Sequence, residues 1–355
     1  MEKRPPLKLI AEILGISKMT VSRALREGTS VDSEVRRLVR ETAHRLGYEP
    51  DKRISQVMSA IRRSQAPQYR ENVAFICTHR GGAPGAGASF LEDEFEGARR
   101  RAHQLGYKID EFYATEPALT GASLSRILQS RGIRAALIGP PNFERTHPHI
   151  WLDWKEFCCV LIGRSLANVG LPRVEHDHYF GCVLAVRRLR RLHYSRLGLV
   201  ISHAMDERSS RLVRSAFLSF HPLGPKDAQK MIFTSNEYDT RALRKWITQH
   251  RPEVLLANFE NIFPRVEHLI ENSPTGIALA ALNWNEKRPH IAGVNQHCAT
   301  IGEQAMDLLV LRLQGNQFGL DPLAPSIKVP GSWVDSTSLP PLKTVASLRR
   351  KKNRP

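Results

Sequence analysis

A cluster of residues near the start of the chain carries groups suited to reading a nucleic acid. Ser17, Thr20 and Ser22 offer short hydroxyls for phosphates or base edges, and Arg23 offers a planar fork that fits guanine; Lys18 and Met19 stand among them. Such side chains read DNA only when a helix holds them on one face, so the question passes to the residues around them. Leu7, Ile10, Ala11 and Leu14 recur at i, i+3, i+4 and i+7, which is one apolar helical face. Gly15 follows where a sharp turn needs a left-handed residue, and Ser17 is placed to cap a second helix by accepting from its free N–H groups. Val21, Ala24 and Leu25 give that helix its own apolar face, which leaves Lys18, Met19, Ser22 and Arg23 outside. Ala11 is small where the two helices cross. The spacing predicts a helix-turn-helix whose second helix enters the major groove. The competing reading is an ordinary pair of helices with a solvated basic face.

The balance of charge agrees with a polyanionic partner. The 355 residues carry 52 Lys and Arg against 35 Asp and Glu, a formal net charge of +17. Basic side chains release counterions from phosphates, so the surplus favours nucleic acid; a device for solubility alone would be served by either sign. A hydrophobic share of 41% is ordinary for a globular protein, and the length suits two or three domains. Cys77, Cys158, Cys159, Cys182 and Cys298 form no C-x-x-C pair, which predicts buried thiols in a reducing cytoplasm. No apolar run reaches the roughly 18 residues that span a bilayer. Residues 1–6 lack the apolar core of a secretory leader, so the expected location is the cytoplasm, with no membrane contact.

Other chemistry finds less support. The loop Arg80-Gly81-Gly82-Ala83-Pro84-Gly85-Ala86-Gly87 sits between a strand and a helix, the context of a phosphate cradle, but it lacks the Lys-Ser/Thr ending and the G-x-G-x-x-G spacing. A mobile cleft-edge loop is the better expectation. No nucleophile elbow or H-E-x-x-H motif occurs, so no catalytic residue is named. His176, Asp177 and His178 are adjacent, but neighbours on an extended segment face opposite ways, so no metal or cofactor is expected there.

Along the chain, Asp32 is placed to cap a third helix over 33–46, with Val35, Leu38, Val39, Thr42 and Leu46 inward and Gly47 ending it. Residues 51–70 read as hinge and linker. From residue 72, short apolar runs alternate with helical patterns, the rhythm of parallel βαβ units. Two such cycles in tandem imply two lobes with a ligand cleft at the carboxyl ends of their strands. In the second cycle the pattern gives a helix over 208–218 and a strand over 277–282. Residues 342–355 carry six Lys or Arg and no acid, and a solvated, disordered tail is expected.

Residues 7–50 resemble the DNA-binding headpiece of the LacI/GalR family of bacterial transcription regulators. The likeness is carried by Ile10-Ala11, Gly15-Ile16-Ser17, Thr20-Val21-Ser22-Arg23-Ala24-Leu25, Val35-Arg36 and Leu46-Gly47-Tyr48-Glu49-Pro50. It continues more loosely through Val160-Leu161-Ile162-Gly163-Arg164, Asp177 with Gly181, His193-Tyr194-Ser195-Arg196-Leu197, Val294-Asn295-Gln296 and Gly331-Ser332-Trp333-Val334-Asp335. The resemblance implies a helix-turn-helix headpiece (1–50), a hinge (51–70) and a two-lobed, periplasmic-binding-protein-like α/β core with parallel sheets (71–338), before a tail (339–355). Lobe 1 is expected over about 71–170 and 293–322, lobe 2 over about 171–292 and 323–338, with crossings near 170, 293 and 322.

The resemblance also implies a homodimer on double-stranded operator DNA, controlled by a small polar effector, a sugar in the family's usual case. Its DNA-binding residues would be Ser17, Lys18, Met19, Thr20, Ser22 and Arg23. The family's hinge wedges a leucine into the minor groove. Here Val57 stands at that position and Met58 follows, so either is a candidate wedge, unless 54–61 forms one longer helix that packs instead. In the cleft, Asn283 stands where the family commonly has Asp, followed by Trp284 as an aromatic wall. Val213 stands where it commonly has Arg, with Arg208, Arg211 or Arg214 as substitutes. The candidate effector-binding set is His79, Asp206, Arg208, Asn258, Asn283 and Trp284. The resulting expectation is a DNA-binding regulator, by default a repressor. The alternatives are a two-lobed solute-binding protein, against which the headpiece speaks, or an enzyme on the same scaffold.

Overall fold

The computed structural model describes residues 7–17, 20, 21, 24, 32–46, 71–78, 89–113, 121–141, 152–164, 170–235, 239–257, 263–271 and 276–340. In the headpiece, α1 (Leu7–Leu14) ends at Gly15, whose φ of +63° supplies the left-handed turn. The Ile16 N–H donates to the Ala11 carbonyl at 3.0 Å and closes that turn. Ser17 Oγ accepts from the Thr20 N–H at 3.0 Å, and Thr20, Val21 and Ala24 are helical. α2 (Ser33–Arg45) starts under Asp32, whose carboxylate accepts from the Glu34 and Val35 N–H groups. Ile10, Ala11, Val21, Ala24, Val39 and Ala43 form one buried cluster. Leu38 does not join it and is 39% exposed. Val35, Val39, Thr42 and Leu46 already trace the inward stripe at i, i+4, i+7 and i+11, and Ala43 completes it, so Leu38 lies off that stripe.

Behind the headpiece stand two six-stranded sheets. The first contains β1 (Glu71–Thr78), β2 (Tyr107–Tyr113), β3 (Ala135–Pro141), β4 (Cys158–Ile162) and β5 (Arg173–His176), joined by β11 (Ser326–Val329). Its order is β11-β5-β4-β3-β1-β2, and every pairing is parallel. The second contains β6 (Leu197–Ile201), β7 (Ile232–Thr234), β8 (Val254–Ala257), β9 (Ala278–Trp284), β10 (Ala292–Asn295) and β12 (Ser332–Val334), in the order β12-β10-β9-β8-β6-β7. Only β12 is antiparallel there. The helices that cover the sheets are, in chain order, α3 (Ser89–Leu105), α4 (Gly121–Ser130), α5 (His178–Arg191), α6 (His203–Arg208), α7 (Leu212–Phe220), α8 (Thr240–His250), α9 (Phe263–Glu271) and α10 (Cys298–Gln314).

Alternation along the strands explains the layering. Val73 and Phe75 of β1 face α3 and α10, while Ala74 and Ile76 face α4. With both faces covered, β4 is buried at every residue, which is why it reads as an unbroken apolar run. Cys158 and Cys159 are core residues of that strand; burial pushes the Cys158 thiol up to about 11. α3 and α10 cross closely because Gly97 and Gly302 sit at the contact. A Cβ on Gly302 would run into the Glu94 carbonyl, and one on Gly97 into the Ala299 carbonyl. Arg100 with Glu303, and Arg101 with Asp307 at 2.7 Å, clasp the rim of this pair. Among the described residues, no helix is long and apolar enough to cross a membrane.

The chain crosses between lobes at 176–178, 295–298 and 329–332, rather than near 170, 293 and 322. β5 stays hydrogen-bonded to β4 and β11, so residues 173–176 and 326–329 belong to lobe 1; β10 stays on β9, so 292–295 belongs to lobe 2. The single helix expected over 208–218 is two, α6 and α7, broken by left-handed Ser210 and Arg211.

Candidate nucleic-acid interface and inter-lobe cleft

In the headpiece, the buried cluster fixes the second helix through Val21 and Ala24, which sit against Ile10 and Val39. Ser17 is exposed, and its hydroxyl lies 2.8 Å from that of Thr20 while capping the helix. Ser17 is thus a structural cap as well as a surface hydroxyl. Lys18, Met19, Ser22, Arg23, Val57 and Met58 lie outside the described residues. The arginines of α2 do not all face solvent alone: Arg37 pairs with Glu34 at 2.6 Å and Glu41 at 2.8 Å along the exposed side of the helix. Pairs this exposed contribute little to stability.

In the core, β5, β10 and β11 each run into a crossing, so the carboxyl ends of all strands parallel to them face the junction of the lobes. This is where open α/β sheets take ligands. From lobe 1, Arg164 lies two residues past β4. It donates to the buried Glu175 carboxylate at 2.9 Å and across the junction to the Ser210 hydroxyl at 3.1 Å. Ser326 also donates to Glu175, at 3.0 Å. From lobe 2, Arg214 donates to Asp206 at 2.6 Å and to the Thr234 hydroxyl at 3.0 Å. Asp206 is 5% exposed, so this pair is largely removed from water, and its second oxygen is buried with no hydrogen-bond partner. At the end of β9, Asn283 Oδ1 and Trp284 Nε1 are likewise buried without partners. Buried polar atoms of this kind cost free energy unless something meets them, and three of them belong to the expected effector-binding set.

The crossings carry histidines. His176 and His178 stack edge-on with ring centroids 5.2 Å apart, and Asp177 between them caps α5 by accepting from the Phe180 N–H at 3.0 Å. Burial holds His176 well below the usual imidazole range. Burial, then the charge of Arg164, lowers His178 to about 4 against the opposing pull of Asp177, with Arg208 and Lys328 lowering it further. Both rings are therefore neutral at pH 7. Among the described residues no group of three or more His, Cys, Asp or Glu could hold a metal ion.

Against the expected effector-binding set, the structure brings Asp206, Arg208, Asn283 and Trp284 to the lobe-2 side of the junction; His79 and Asn258 lie outside the described residues. Trp284 is not a free-standing wall, since it packs against the lobe-2 core. Of the three arginines offered for the place of Val213, it is Arg214 that reaches the polar cluster. Val213 itself is core at 2% exposure, and Arg211 is exposed in a left-handed turn. Arg164 and Glu175 were not among the expected residues. The available signal for Arg164 was its position just past an apolar strand; Glu175 gave none, being an acid on a four-residue strand.

Residues 7–51 match the family model described as bacterial regulatory proteins, lacI family. Solved structures similar over nearly the whole chain include a transcriptional regulator CelR–cellobiose complex, at 17% identity and a TM-score of 0.57, covering 94% of this chain and 100% of that one. The lac repressor dimer bound to operator and the anti-inducer ONPF is similar at 16% identity and a TM-score of 0.53, covering 95% and 100%. A putative ribose operon repressor from Burkholderia thailandensis is similar at 17% identity and a TM-score of 0.55, covering 74% of this chain and 98% of that one. A search of curated proteins finds no match.

Proposed function

We propose that this chain, a member of the lacI family of bacterial regulatory proteins by its headpiece and by the two-lobed, periplasmic-binding-protein-like fold of its core, is a transcription repressor that binds operator DNA as a homodimer in the cytoplasm. A small polar effector, a sugar in the simplest case, occupies the junction of the lobes and alters operator affinity. The observation that carries the reading is the headpiece: Val21 and Ala24 are locked into a core with Ile10 and Val39 within a segment that matches the lacI model. The net charge of +17 and the unpartnered buried polar atoms at the lobe junction support the two halves of the proposal.

In this reading Ser17, Lys18, Met19, Thr20, Ser22 and Arg23 contact DNA, and Val57 or Met58 enters the minor groove or packs against the partner hinge. Asp206, Arg208, Asn283 and Trp284, with His79 and Asn258, contact the effector. Effector binding biases the angle between the lobes and so the spacing of paired headpieces, a population shift between two states. Three chain crossings give that angle a physical axis. The chain acts as a regulator rather than an enzyme.

The test is operator binding by the full-length protein between low and physiological salt. Affinity should fall by about 10³-fold or more between 50 and 200 mM salt if six or so phosphates are neutralised. A flat response would sink the DNA reading. Within the same assay Arg23→Ala should cost roughly 1–3 kcal/mol at the specific site and much less on random DNA. Equal losses on both would make Arg23 a phosphate contact.

A further inference from the structure

Beside the edge strand of lobe 2, α5 carries a stripe of mixed character. Phe180, Val183 and Leu184 stand toward its amino end, and Arg187, Arg188 and Arg191 continue the same face at helical spacing. Trp333 of the edge strand β12, with Asp335 just past it, forms the other wall of an open groove of about 360 Å³. One end of this groove is apolar. Phe180 is 42% exposed there and Trp333 is half-buried, so both rings gain by being covered. The other end is cationic. Among the described residues that line it the one acid is Asp335, already held by Arg188 at 2.6 Å and by the Trp333 indole N–H at 2.9 Å. Arg187 lies over the Phe220 ring, 5.3 Å from its centroid, a contact that orients the guanidinium without neutralising it. Among the described residues neither Arg187 nor the exposed Arg191 makes an ion pair.

We propose that this groove docks an acidic, extended segment of a partner protein, whose apolar anchor covers the Phe180–Trp333 end and whose carboxylates pair with Arg187 and Arg191. The spacing sets the register. Four residues of helix advance about 6 Å, which separates Val183 from Arg187 and Arg187 from Arg191. Two residues of extended chain advance about 6.6 Å. A segment laid along α5 therefore meets the two arginines with side chains two and four places from its anchor, all on one face. Arginine forks suit carboxylates through paired charge-assisted hydrogen bonds. A second copy of this chain fits poorly, because a twofold contact of the stripe with itself sets three arginines and one aspartate against the same again. A nucleic acid backbone calls for cations along its whole track, and half of this one is apolar.

The experiment titrates the full-length protein with a labelled peptide, Glu-Ser-Glu-Ser-Leu-Ser-Glu-Ser-Glu, which reads alike in both directions. Fluorescence anisotropy should show binding below about 1 mM. The isomer Ser-Glu-Ser-Glu-Leu-Glu-Ser-Glu-Ser has the same composition with its acids shifted one place. It should bind about tenfold more weakly, because its acids face away from the arginines. Phe180→Ser and Arg191→Glu should each weaken binding of the first peptide about fivefold, and Arg187→Glu combined with Arg191→Glu about thirtyfold. That double variant should in turn bind Lys-Ser-Lys-Ser-Leu-Ser-Lys-Ser-Lys about tenfold more tightly than the unaltered protein does, an exchange that damage to the fold cannot mimic. Its Tm and operator affinity should stay unchanged. No binding up to that concentration overturns the proposal. Equal binding of the two isomers overturns it too, since general attraction to a basic protein then suffices, and so does binding that the double variant leaves intact. A double variant that changes the oligomeric mass without touching peptide binding assigns the face to a second copy. One that weakens binding to random-sequence DNA more than to the peptide assigns it to nucleic acid. Either result overturns the proposal.

Discussion

The two lobes share one strand order and differ at its edge. In lobe 1 the last strand, β11, is parallel to its neighbour β5; in lobe 2 the last strand, β12, is antiparallel to β10. The cause is the path of the chain. β11 is reached from α10 within lobe 1 and runs toward the junction like every strand before it. β12 is entered from the junction and can only run away from it. The third crossing therefore costs lobe 2 its all-parallel sheet and gives the molecule a third strut between lobes. A second difference lies in one buried titratable group of each lobe, His221 and Glu94. In lobe 2, His221 satisfies both ring nitrogens, one at the Leu197 carbonyl at 3.0 Å and one from the Leu223 N–H at 3.1 Å. In lobe 1, Glu94 is 6% exposed between α3 and α10 and its Oε2 has no partner. Away from the junction, where Asp206, Asn283 and Trp284 keep unpartnered atoms, lobe 2 thus buries an imidazole with both nitrogens met, while lobe 1 buries a carboxyl that protonation makes tolerable.

The largest test of this contrast is steric. Gly302 of lobe 1 and Gly181 of lobe 2 each sit where a helix meets its lobe. An added Cβ at Gly302 meets the backbone of α3, whereas at Gly181 it meets the His176 imidazole, 2.6 Å from Nε2. Backbone cannot step aside without separating two helices, while a ring can turn. Gly302→Ala should destabilise by about 3 kcal/mol or more, and Gly181→Ala by about 1–2 kcal/mol, on the scale of overpacking losses. Denaturant melts of both variants decide it; equal losses would mean that α3 and α10 can slide apart as cheaply as a ring rotates.

A second test concerns ion pairs. Arg214–Asp206 is mostly buried, while Arg188–Asp335, also in lobe 2, leaves Asp335 64% exposed. Arg214→Met strands a carboxylate away from water and should cost about 3 kcal/mol. Arg188→Met removes a pair still in contact with solvent and should cost under about 1 kcal/mol, despite its 2.6 Å length. Thermal melts of the two, with Asp206→Asn added to Arg214→Met, check the cause. The double variant should recover part of the loss, because the stranded charge is gone.

Much of this architecture was legible in the sequence, and the exceptions have physical causes. Ile10, Val21, Ala24 and Val39 announced themselves because helical periodicity is local, and β4 did so because a strand covered on both faces must be apolar throughout. Leu38 misled because an apolar residue next to an inward stripe is indistinguishable from one within it until the helix is placed. The crossings were set a few residues off because β5 and β11 are short, and what assigns them to lobe 1 is pairing with β4 and with each other, a long-range fact. Arg214 could be offered only as one of three arginines, since the choice depends on the left-handed pair Ser210 and Arg211, which turns α7 so that Arg214 meets Asp206. Glu175 was invisible because its significance comes from Arg164 and Ser326, far apart in the chain.

The smallest expected effect is the most selective for the difference between lobes, since it reads the sign of a pH dependence. Burial, reinforced by the neighbouring charge of Asp93, pushes the Glu94 carboxyl up to about 8. Its folded value thus lies above its unfolded one, so its contribution to stability is fully present below about pH 4.5 and is lost progressively as pH rises toward 8, where the unfolded chain alone has released the proton. His221 runs the other way: burial lowers its value, so its contribution is kept at neutral pH and lost as pH falls below the ordinary imidazole range near 6.5. Glu94→Gln keeps the shape and removes the titration. It should leave Tm nearly unchanged at pH 5 and raise it at pH 8 by about 2–4 °C, the shift that ~1 kcal/mol produces in a domain of this size. His221→Gln should show no such gain on the alkaline side. If Glu94→Gln gave the same shift at both values of pH, the gain would come from packing or hydrogen bonding between α3 and α10, and the carboxyl would not be the titrating group that sets lobe 1 apart.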